Sequence, residues 1–335
     1  MSYKTYICVA DIVVELKSKQ APESNDRSDW RYENFILKRK PKKVDIVFAL
    51  NLKEDYVCYR SEVLFETTRE IPSARGALAK QERKAYLKDK RQRENEILRK
   101  KKEAYLGSNL GWRISEFRRK FLLEGGTAGN FQVFFDRKFE NVKVDIISSS
   151  GEWKLSDVFS GFLQLFMIYY LAFKKAGMLV HSTAIKDGAN HGAGYLFSGV
   201  SGAGKSTSSR IWNEHGRDVV ILNDDRIIVR KINGKFYLYS TPWHGDFSDY
   251  LKTSTERACL KKLFFIYHRK TNNAETVSAV EFFNLFYQSL FTPFWDKDNL
   301  MFVTDFVMDL IKNVDCYKFG FKNDKRIISY VRSLN

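Results

Sequence analysis

Hydrophobic and polar positions alternate along much of the first 150 residues, with Val, Ile, Phe and Tyr filling most of the apolar positions. Alternation of this kind predicts β-strands that bury one face. The predicted strands cover residues 5–16, 43–50, 56–66, 111–114, 131–135 and 142–147. Polar segments and a glycine-rich break at residues 125–129 separate them. We therefore expect residues 1–150 to form a mainly β region.

The segment 73–106 departs from this pattern, because Ala, Lys, Arg, Glu and Leu dominate it and no Gly or Pro follows Gly76. This composition predicts a long, exposed, basic helix inserted into the β region. A solvated helix with charge pairs such as Glu96 with Lys100 is the simpler explanation, and docking of an acidic peptide is the alternative. Nucleic acid is not an expected partner, because the segment lacks the interleaved aromatic residues of single-strand binders.

From residue 151 onward, helical spacing of apolar positions appears beside strand spacing. An apolar stretch that begins near Asp157 and stops at Gly177 predicts a buried helix. Its most apolar part, residues 158–173, is shorter than the roughly 20 residues that span a bilayer, so no membrane span is expected. Strands are predicted at 178–185, 194–198, 219–223, 227–232, 236–239 and 260–267, a hairpin at Asn233 and Gly234, and helices at 279–290 and 298–312. Residues 151–335 are therefore predicted to form an α/β domain.

Charge and cysteine usage narrow the class of protein. The 56 Lys and Arg outnumber the 40 Asp and Glu, and the resulting net charge of +16 suits an anionic ligand or partner. The four cysteines are far apart in the chain, have no metal-binding spacing and follow no secretory leader pattern. We therefore expect a reducing, cytoplasmic environment.

A phosphate-binding motif, Gly-x-x-x-x-Gly-Lys-Ser, spans residues 199–206 between a predicted strand and a predicted helix. Glycines allow backbone N–H groups to point at phosphates, and the start of the helix adds positive potential. We expect Lys205 to reach the terminal phosphates and the Ser206 hydroxyl to ligate Mg²⁺. The predicted ATP-binding residues are Gly199, Ser201, Gly202, Ala203, Gly204, Lys205, Ser206 and Thr207.

Two adjacent carboxylates, Asp224 and Asp225, stand at the end of the predicted strand 219–223. Strand ends in a parallel sheet are where such folds present ligand groups. One carboxylate can hold the metal while the other accepts a proton from an attacking hydroxyl. Arg226 beside them either contacts phosphate or pairs with a carboxylate.

These features resemble the HPr kinase and phosphoenolpyruvate carboxykinase superfamily, specifically its HPr-kinase-like branch of serine kinases associated with peptide maturation. The resemblance covers roughly residues 154–335. The matching segments are the glycine and His-containing strand at 177–184, the phosphate motif and the Asn-Asp-Asp strand end at 223–225. The turn at 241–245 and the segment 314–321 also resemble this branch, with less specific sequence. The resemblance implies an α/β core of the P-loop kinase type, to which the N-terminal β region and the basic helix are added.

The same resemblance implies roles for individual residues. Asp224 is the expected base, and Asp225 with Ser206 is expected at Mg²⁺. His181 is expected to lie beside the base or the transferred phosphoryl group, as the matching histidine does in HPr kinases. The predicted catalytic residues are therefore Asp224, His181 and Lys205.

The chain also departs from the family. It lacks the Glu-Ile-Arg-Gly-like stretch of true HPr kinases, so HPr is not the expected substrate. Arg226 and Ile227 follow the aspartates where carboxykinases have an acid and a histidine, which argues against carboxykinase chemistry. The other histidines, His191, His215, His244 and His268, have no metal spacing and are predicted to be loop or packing residues, with His244 in the 241–245 turn the exception worth testing.

Three functions are compatible with these residues. The expected one is transfer of the γ-phosphoryl group of ATP to a hydroxyl, with Ser as the expected acceptor, of a protein or peptide, and the N-terminal β region is expected to help recognise it. A kinase of small hydroxyl compounds such as free serine is the second, and a closed polar pocket near Asp224 would favour it. A nucleotide-binding module without turnover is the third, and the complete set of Lys205, Ser206 and Asp224 argues against it. The choice between ATP and GTP and the oligomeric state stay open.

Overall fold

The computed structural model describes residues 2–23, 32–57, 59, 61–68, 110–125, 130–245 and 254–334. The predicted basic helix at 73–106 lies outside these residues. The chain divides into two compact units. The first comprises Met1–Lys4, Leu16–Asn25 and Val47–Phe162, and the second comprises Thr5–Glu15, Asp26–Ile46 and Leu163–Asn335. The described chain is a mixed α/β structure with two mixed sheets and few helices.

Among the described residues, the first sheet has eight strands, and β3 and β8 pair in parallel. The strands are β1 (Tyr3–Val9), β2 (Ile12–Ser18), β3 (Ile46–Lys53), β4 (Glu62–Thr68), β5 (Leu110–Phe117), β6 (Lys120–Gly125), β7 (Asn130–Phe135) and β8 (Val142–Ile147). Their order across the sheet is β1-β2-β3-β8-β7-β6-β5-β4. The described part of the first 150 residues is therefore mainly β, as the alternation predicted.

The single strand predicted at residues 5–16 is wrong, because the chain turns back at Ala10 and Asp11 to give β1 and β2. Both turn residues have positive φ angles, 53° and 59°. Two successive residues of this kind match the twist of the flanking strands in a two-residue hairpin. Apolar alternation continues through the turn, so hydrophobic periodicity alone does not mark it.

Aromatic rings and one buried carboxylate organise the first unit. The Phe162 ring lies 5.4 Å from that of Phe48 and 5.8 Å from that of Phe131, measured between ring centroids. The buried Glu124 carboxylate accepts hydrogen bonds from the Gln132 amide at 2.9 Å and the Arg113 guanidinium at 3.1 Å. Because these donors satisfy the carboxylate, its burial does not carry the free-energy cost of burying an unpaired charge.

In the part of the chain that the structure describes, the second sheet contains ten strands, and helices lie against it. Its strands are β9 (Met178–His181), β10 (Thr183–Asp187), β11 (Ala193–Ser198), β12 (Val219–Asn223), β13 (Arg226–Ile232), β14 (Lys235–Tyr239), β15 (Arg257–His268), β16 (Asn273–Glu275), β17 (Leu290–Phe291) and β18 (Asp315–Phe321). The order is β12-β10-β11-β15-β14-β13-β9-β17, and β18 pairs with β15 and β16. The strands β11, β15 and β18 run parallel to one another, and the other pairs are antiparallel.

The helices are α1 (Gln164–Phe173), α2 (Lys205–His215), α3 (Ala279–Tyr287), α4 (Lys297–Asn313) and α5 (Arg326–Ser333). A π-helical segment, Asp157–Leu163, leads into α1, and 3-10 turns occur at Glu33–Phe35 and Gly188–Asn190. The predicted helices near Asp157, at 279–290 and at 298–312 are confirmed to within a few residues. The terminal helix α5 was not predicted. No helix in the described ranges is long and apolar enough to cross a bilayer.

Alternate residues of the central strands face two different cores. Leu196 and Leu263 pack in a cluster with Phe286 of α3 and Val307 of α4. The neighbouring residues on the same strands face the other cluster, whose members include Phe197, Phe264, Trp212, Ile327 and Val331 from β11, β15, α2 and α5. Because successive side chains of a strand point to opposite faces, the strands are apolar on both faces and lie between two layers of helix.

Candidate functional site

A bend in one antiparallel ladder brings the predicted site residues together. The strands β9 and β10 are consecutive along one side of this ladder, and β12 and β13 are consecutive along the other. His181 pairs with Arg226, and Ala184 pairs with Asn223, in the same register. Between these pairs the Ser182 N–H donates to the Asp225 carbonyl at 3.0 Å. The single strand predicted at 178–185 is therefore two strands, because the chain passes here from one part of the sheet to another.

The predicted phosphate loop lies at the same edge of the sheet. It connects β11 to α2, and the aspartates follow β12. Both β11 and β12 are antiparallel to β10, which lies between them, so they run in the same direction and end at the same edge. The parallel sheet assumed from the sequence is wrong at this point, since β10 separates the two strands. The loop and the carboxylates nevertheless emerge side by side.

Two glycines allow the loop to pass close to its neighbours. A Cβ atom on Gly199 would lie 2.7 Å from the carbonyl oxygen of Ile266. Gly204 has a φ angle of 101°, and a Cβ there would lie 2.8 Å from the Phe321 ring. A side chain at either position would require the loop to move, so the motif glycines are required by contact as well as by backbone conformation.

The Lys205 side chain closes the loop. The residue is 7% exposed, and its Nζ atom donates to the carbonyl oxygens of Gly199 at 2.9 Å and Val200 at 3.2 Å. Burial lowers the pKa of this ammonium, the charge of Asp225 opposes that effect, and the charge of Arg226 adds to it. The buried ammonium therefore faces the loop and is electrostatically coupled to Asp225 and Arg226.

The other predicted loop residues differ in accessibility. Ser201, Gly202 and Ser206 are exposed. Ala203 is buried, while Gly204 and Thr207 are half-buried. The Ser206 hydroxyl at the start of α2 is thus placed to meet a ligand from solvent.

Hydroxyl groups join the phosphate-loop helix to the aspartates. Ser209 of α2 donates to Thr183 Oγ1 at 3.2 Å, and Thr183 donates to the Asp224 carbonyl oxygen at 3.1 Å. Both hydroxyl residues are fully buried. The chain of two hydrogen bonds fixes the distance between α2 and the bend.

Asp224 is enclosed by the turn at residues 241–245. The side chain is fully buried, and its Oδ1 atom accepts the Gly245 N–H at 3.0 Å. The same oxygen lies 3.6 Å from His244 Nδ1. Asn223 contacts both the aspartate pair and the turn. Its Oδ1 accepts the N–H of Asp225 at 2.8 Å, and its Nδ2 lies 3.2 Å from His244 Nδ1. His244, which the sequence analysis set apart from the other loop or packing histidines, is therefore part of the site.

Asp225 forms a second, more accessible cluster. Its side chain is 21% exposed, and its Oδ1 lies 2.7 Å from His181 Nδ1. Its Oδ2 lies 2.6 Å from Arg226 Nη1. Burial would raise the pKa of this carboxyl, but the hydrogen bond from His181 and the charge of Arg226 together lower it below its usual value. Asp225 is therefore held ionised.

Arg226 pairs with a carboxylate, which is one of the two roles that the sequence left open. Its guanidinium lies over the Phe291 ring, 4.7 Å from the centroid, an arrangement that favours a cation. Its Nη1 atom is also 2.6 Å from His181 Nδ1. The sequence pointed to Asn223 and Arg226 through their positions beside the aspartates. Phe291 had no such signal, because it comes from β17, distant in the chain.

Among the described residues, no group of three or more His, Cys, Asp and Glu side chains is placed to hold a metal ion. No protein-family model matches the chain, and no curated protein matches it. The HPr-kinase-like resemblance therefore stays a prediction that rests on the residues described above.

Proposed function

We propose that the protein is an ATP-dependent kinase that transfers the γ-phosphoryl group to a serine hydroxyl of a protein or peptide. The observation that carries the proposal is the adjacency of two groups of residues at one sheet edge. One is the glycine loop with the buried Lys205. The other is the bend that collects His181, Asp224 and Asp225. Phosphoryl transfer requires positioning and charge stabilisation of this kind, with little covalent participation of the protein.

The loop has the features of a site for the phosphates of ATP. Its backbone leads into the start of α2, where unpaired N–H groups and the helix dipole favour anions. The Lys205 ammonium is held by two neutral carbonyl oxygens. Phosphate oxygens would replace these contacts by charge-assisted hydrogen bonds, which are stronger.

The residues present also fit Mg²⁺, which takes one or two carboxylate or hydroxyl ligands and completes its shell with phosphates and water. Asp225 has a lowered pKa and stays ionised, as a metal-binding carboxylate must. Ser206 is an exposed residue with a hydroxyl group at the start of α2. The metal would neutralise charge on the β- and γ-phosphates.

The proposed reaction transfers the γ-phosphoryl group from ATP to the serine oxygen. The serine oxygen attacks the γ-phosphorus, the bond to the bridging β-γ oxygen breaks, and ADP leaves. Asp224 accepts the proton of the serine hydroxyl. Because Asp224 is enclosed by Gly245 and His244, this role requires the 241–245 turn to make room for the acceptor. The lowered pKa of Asp225 makes it the poorer base of the pair.

Asp224 is itself enclosed, but the exposure of the neighbouring His181 and Asp225 favours a macromolecular acceptor over a small one. The side chains of His181 and Asp225 are 37% and 21% exposed, so this part of the site is open to solvent. A serine on a peptide segment can approach an open edge of this kind. A fully enclosed polar cavity would suit a free hydroxyl compound better.

The test is co-expression of the full chain with the small peptides encoded beside its gene, followed by measurement of their intact masses. We expect a gain of one phosphoryl group with the wild-type protein and none with Lys205→Ala. The matched control is Lys261→Ala, which removes an exposed lysine of β15 outside the loop. If no peptide gains a phosphoryl group while Mg-ATP still raises the melting temperature, the protein binds nucleotide but does not act on these peptides. That result would overturn the proposed peptide substrate.

A further inference from the structure

A groove of about 590 Å³ lies beside β18 and α5 in the second unit. This volume falls within the range of small-molecule sites. Its walls combine three cations, polar side chains and an aromatic ring. The lining residues include Lys270, Asn272, Lys322, Arg326, Ser329 and Tyr330.

Two segments that line this groove follow residues that contact the phosphate loop. His268 Nε2 lies 2.7 Å from the carbonyl oxygen of Gly202, and the Phe321 ring approaches Gly204. Lys270 follows His268 by two residues in the chain, and Lys322 follows Phe321 directly. The segments that line the groove thus begin at residues in contact with the loop.

The sheet order places the groove and the aspartates on opposite sides of the loop. The loop follows β11. On one side lie β10 and β12, which carry Thr183 and lead to the aspartates. On the other lie β15 and β18, which lead to Lys270 and Lys322. A nucleotide is linear, with the transferred phosphate at one end and the nucleoside at the other. If the γ-phosphate faces the aspartates, the nucleoside is directed to the opposite side.

We propose that this groove receives the base and ribose of the nucleotide, an inference that rests on the proposed kinase function. The charges inside it agree with this use. Arg326 is engaged by Asp324, with 2.6 Å between Nη2 and Oδ2, whereas Lys322 Nζ stands 3.6 Å from the same oxygen. In this arrangement Lys270 and Lys322, which follow the loop-contacting residues His268 and Phe321, attract the α-phosphate, and the polar side chains of the groove meet the sugar and base.

The Tyr330 ring forms a fixed apolar wall for a base. It stacks on Phe319 with 5.7 Å between centroids, and its hydroxyl accepts the Ala274 N–H at 3.0 Å. Asn272 is likewise fixed, because its Oδ1 accepts the Lys322 N–H at 2.9 Å. Both side chains are therefore held in place before a ligand arrives, which lowers the entropic cost of binding.

The experiment compares two ligands that share a phosphate chain, Mg-ADP and Mg-tripolyphosphate, on the full-length protein by calorimetry. Ser329→Trp fills the groove from an exposed position of α5 without changing charge. Lys270→Ala removes one cation of the groove, and Lys261→Ala is the matched control outside it. Circular dichroism and the melting temperature of each free variant establish that it is folded.

We expect Ser329→Trp to weaken Mg-ADP binding at least about tenfold and to leave Mg-tripolyphosphate within about twofold of wild type. Lys261→Ala should change neither. Unchanged ADP affinity in Ser329→Trp overturns the groove assignment while leaving the kinase proposal intact. Equal loss of both ligands also overturns it, because the substitution then acts on the phosphate loop. Failure of the wild-type protein to bind either ligand overturns the proposed function itself.

Discussion

The Nδ1 atom of His181 lies 2.7 Å from Oδ1 of Asp225. The same nitrogen lies 2.6 Å from Nη1 of Arg226, which can only donate. Nδ1 cannot donate to the carboxylate and accept from the guanidinium at once. The position of one proton therefore decides whether His181 bonds to Asp225 or to Arg226, and binding of a metal to Asp225 would favour the second arrangement.

His181 is tested by a pair of substitutions. His181→Ala removes the Nδ1 contact with Asp225, so we expect phosphoryl transfer to fall by a factor of about 10²–10³ if the histidine orients the site or handles a proton. His181→Asn keeps a polar group near the Nδ1 position and should restore part of the rate. Both variants should still be stabilised by Mg-ATP. Normal turnover by His181→Ala would remove the residue from the mechanism.

The two aspartates should fail in different ways. Asp224→Asn should retain nucleotide binding and lose transfer by a factor of about 10²–10⁴, the usual contribution of a general base. Asp225→Asn should instead raise the Mg²⁺ concentration needed for half-maximal activity, because a neutral amide is a poorer ligand than a carboxylate. Steady-state rates measured across a Mg²⁺ titration separate the two. Reversed behaviour would exchange the roles that we assign.

Stability should depend on pH through Asp225. Its folded pKa lies below the ordinary value of 3.8, so its ion pair stabilises the protein above that pH, and the contribution is lost as pH falls through the folded pKa. The free energy of unfolding should therefore be higher for wild type than for Asp225→Asn at about pH 6, and the difference should shrink below about pH 4. Urea unfolding at stepped pH measures it. A difference that is constant with pH would mean that the ion pair contributes nothing.

Gly204 is tested against a glycine of similar conformation elsewhere. Gly204→Ala places a Cβ 2.8 Å from the Phe321 ring at a φ angle of 101°. We expect a loss of about 1–3 kcal/mol in the free energy of unfolding and loss of the Mg-ATP thermal shift. Gly234 has a φ angle of 79°, and a Cβ atom added there would meet no atom within 4 Å, so Gly234→Ala is the comparison. It should cost about 1–2 kcal/mol and keep the thermal shift. If both variants bind Mg-ATP normally, the loop is not a phosphate site.

Local patterns predicted much of the second unit correctly. The strand β11 and helix α2 that flank the glycine motif, the strand β12 that ends before the aspartates and the Asn233–Gly234 hairpin all depend on neighbouring residues. Hydrophobic spacing and turn chemistry act over a few residues, so a sequence carries them directly. The turns at Ala10–Asp11 and Arg118–Arg119, whose residues have positive φ angles, were not predicted because neither contains the glycine that usually marks a two-residue hairpin.

By itself, the sequence determined which elements form and which chemical groups they carry, because spacing and residue type act locally. Only the tertiary structure decided that the strand pairing changes at Ser182 and that His181 meets Asp225 and Arg226. It also decided that Phe291 lies under the Arg226 guanidinium. It also decided that Asp224 is enclosed by the 241–245 turn while Asp225 stays accessible. These contacts join residues far apart in the chain, and they follow from strand order and packing, which no local pattern encodes.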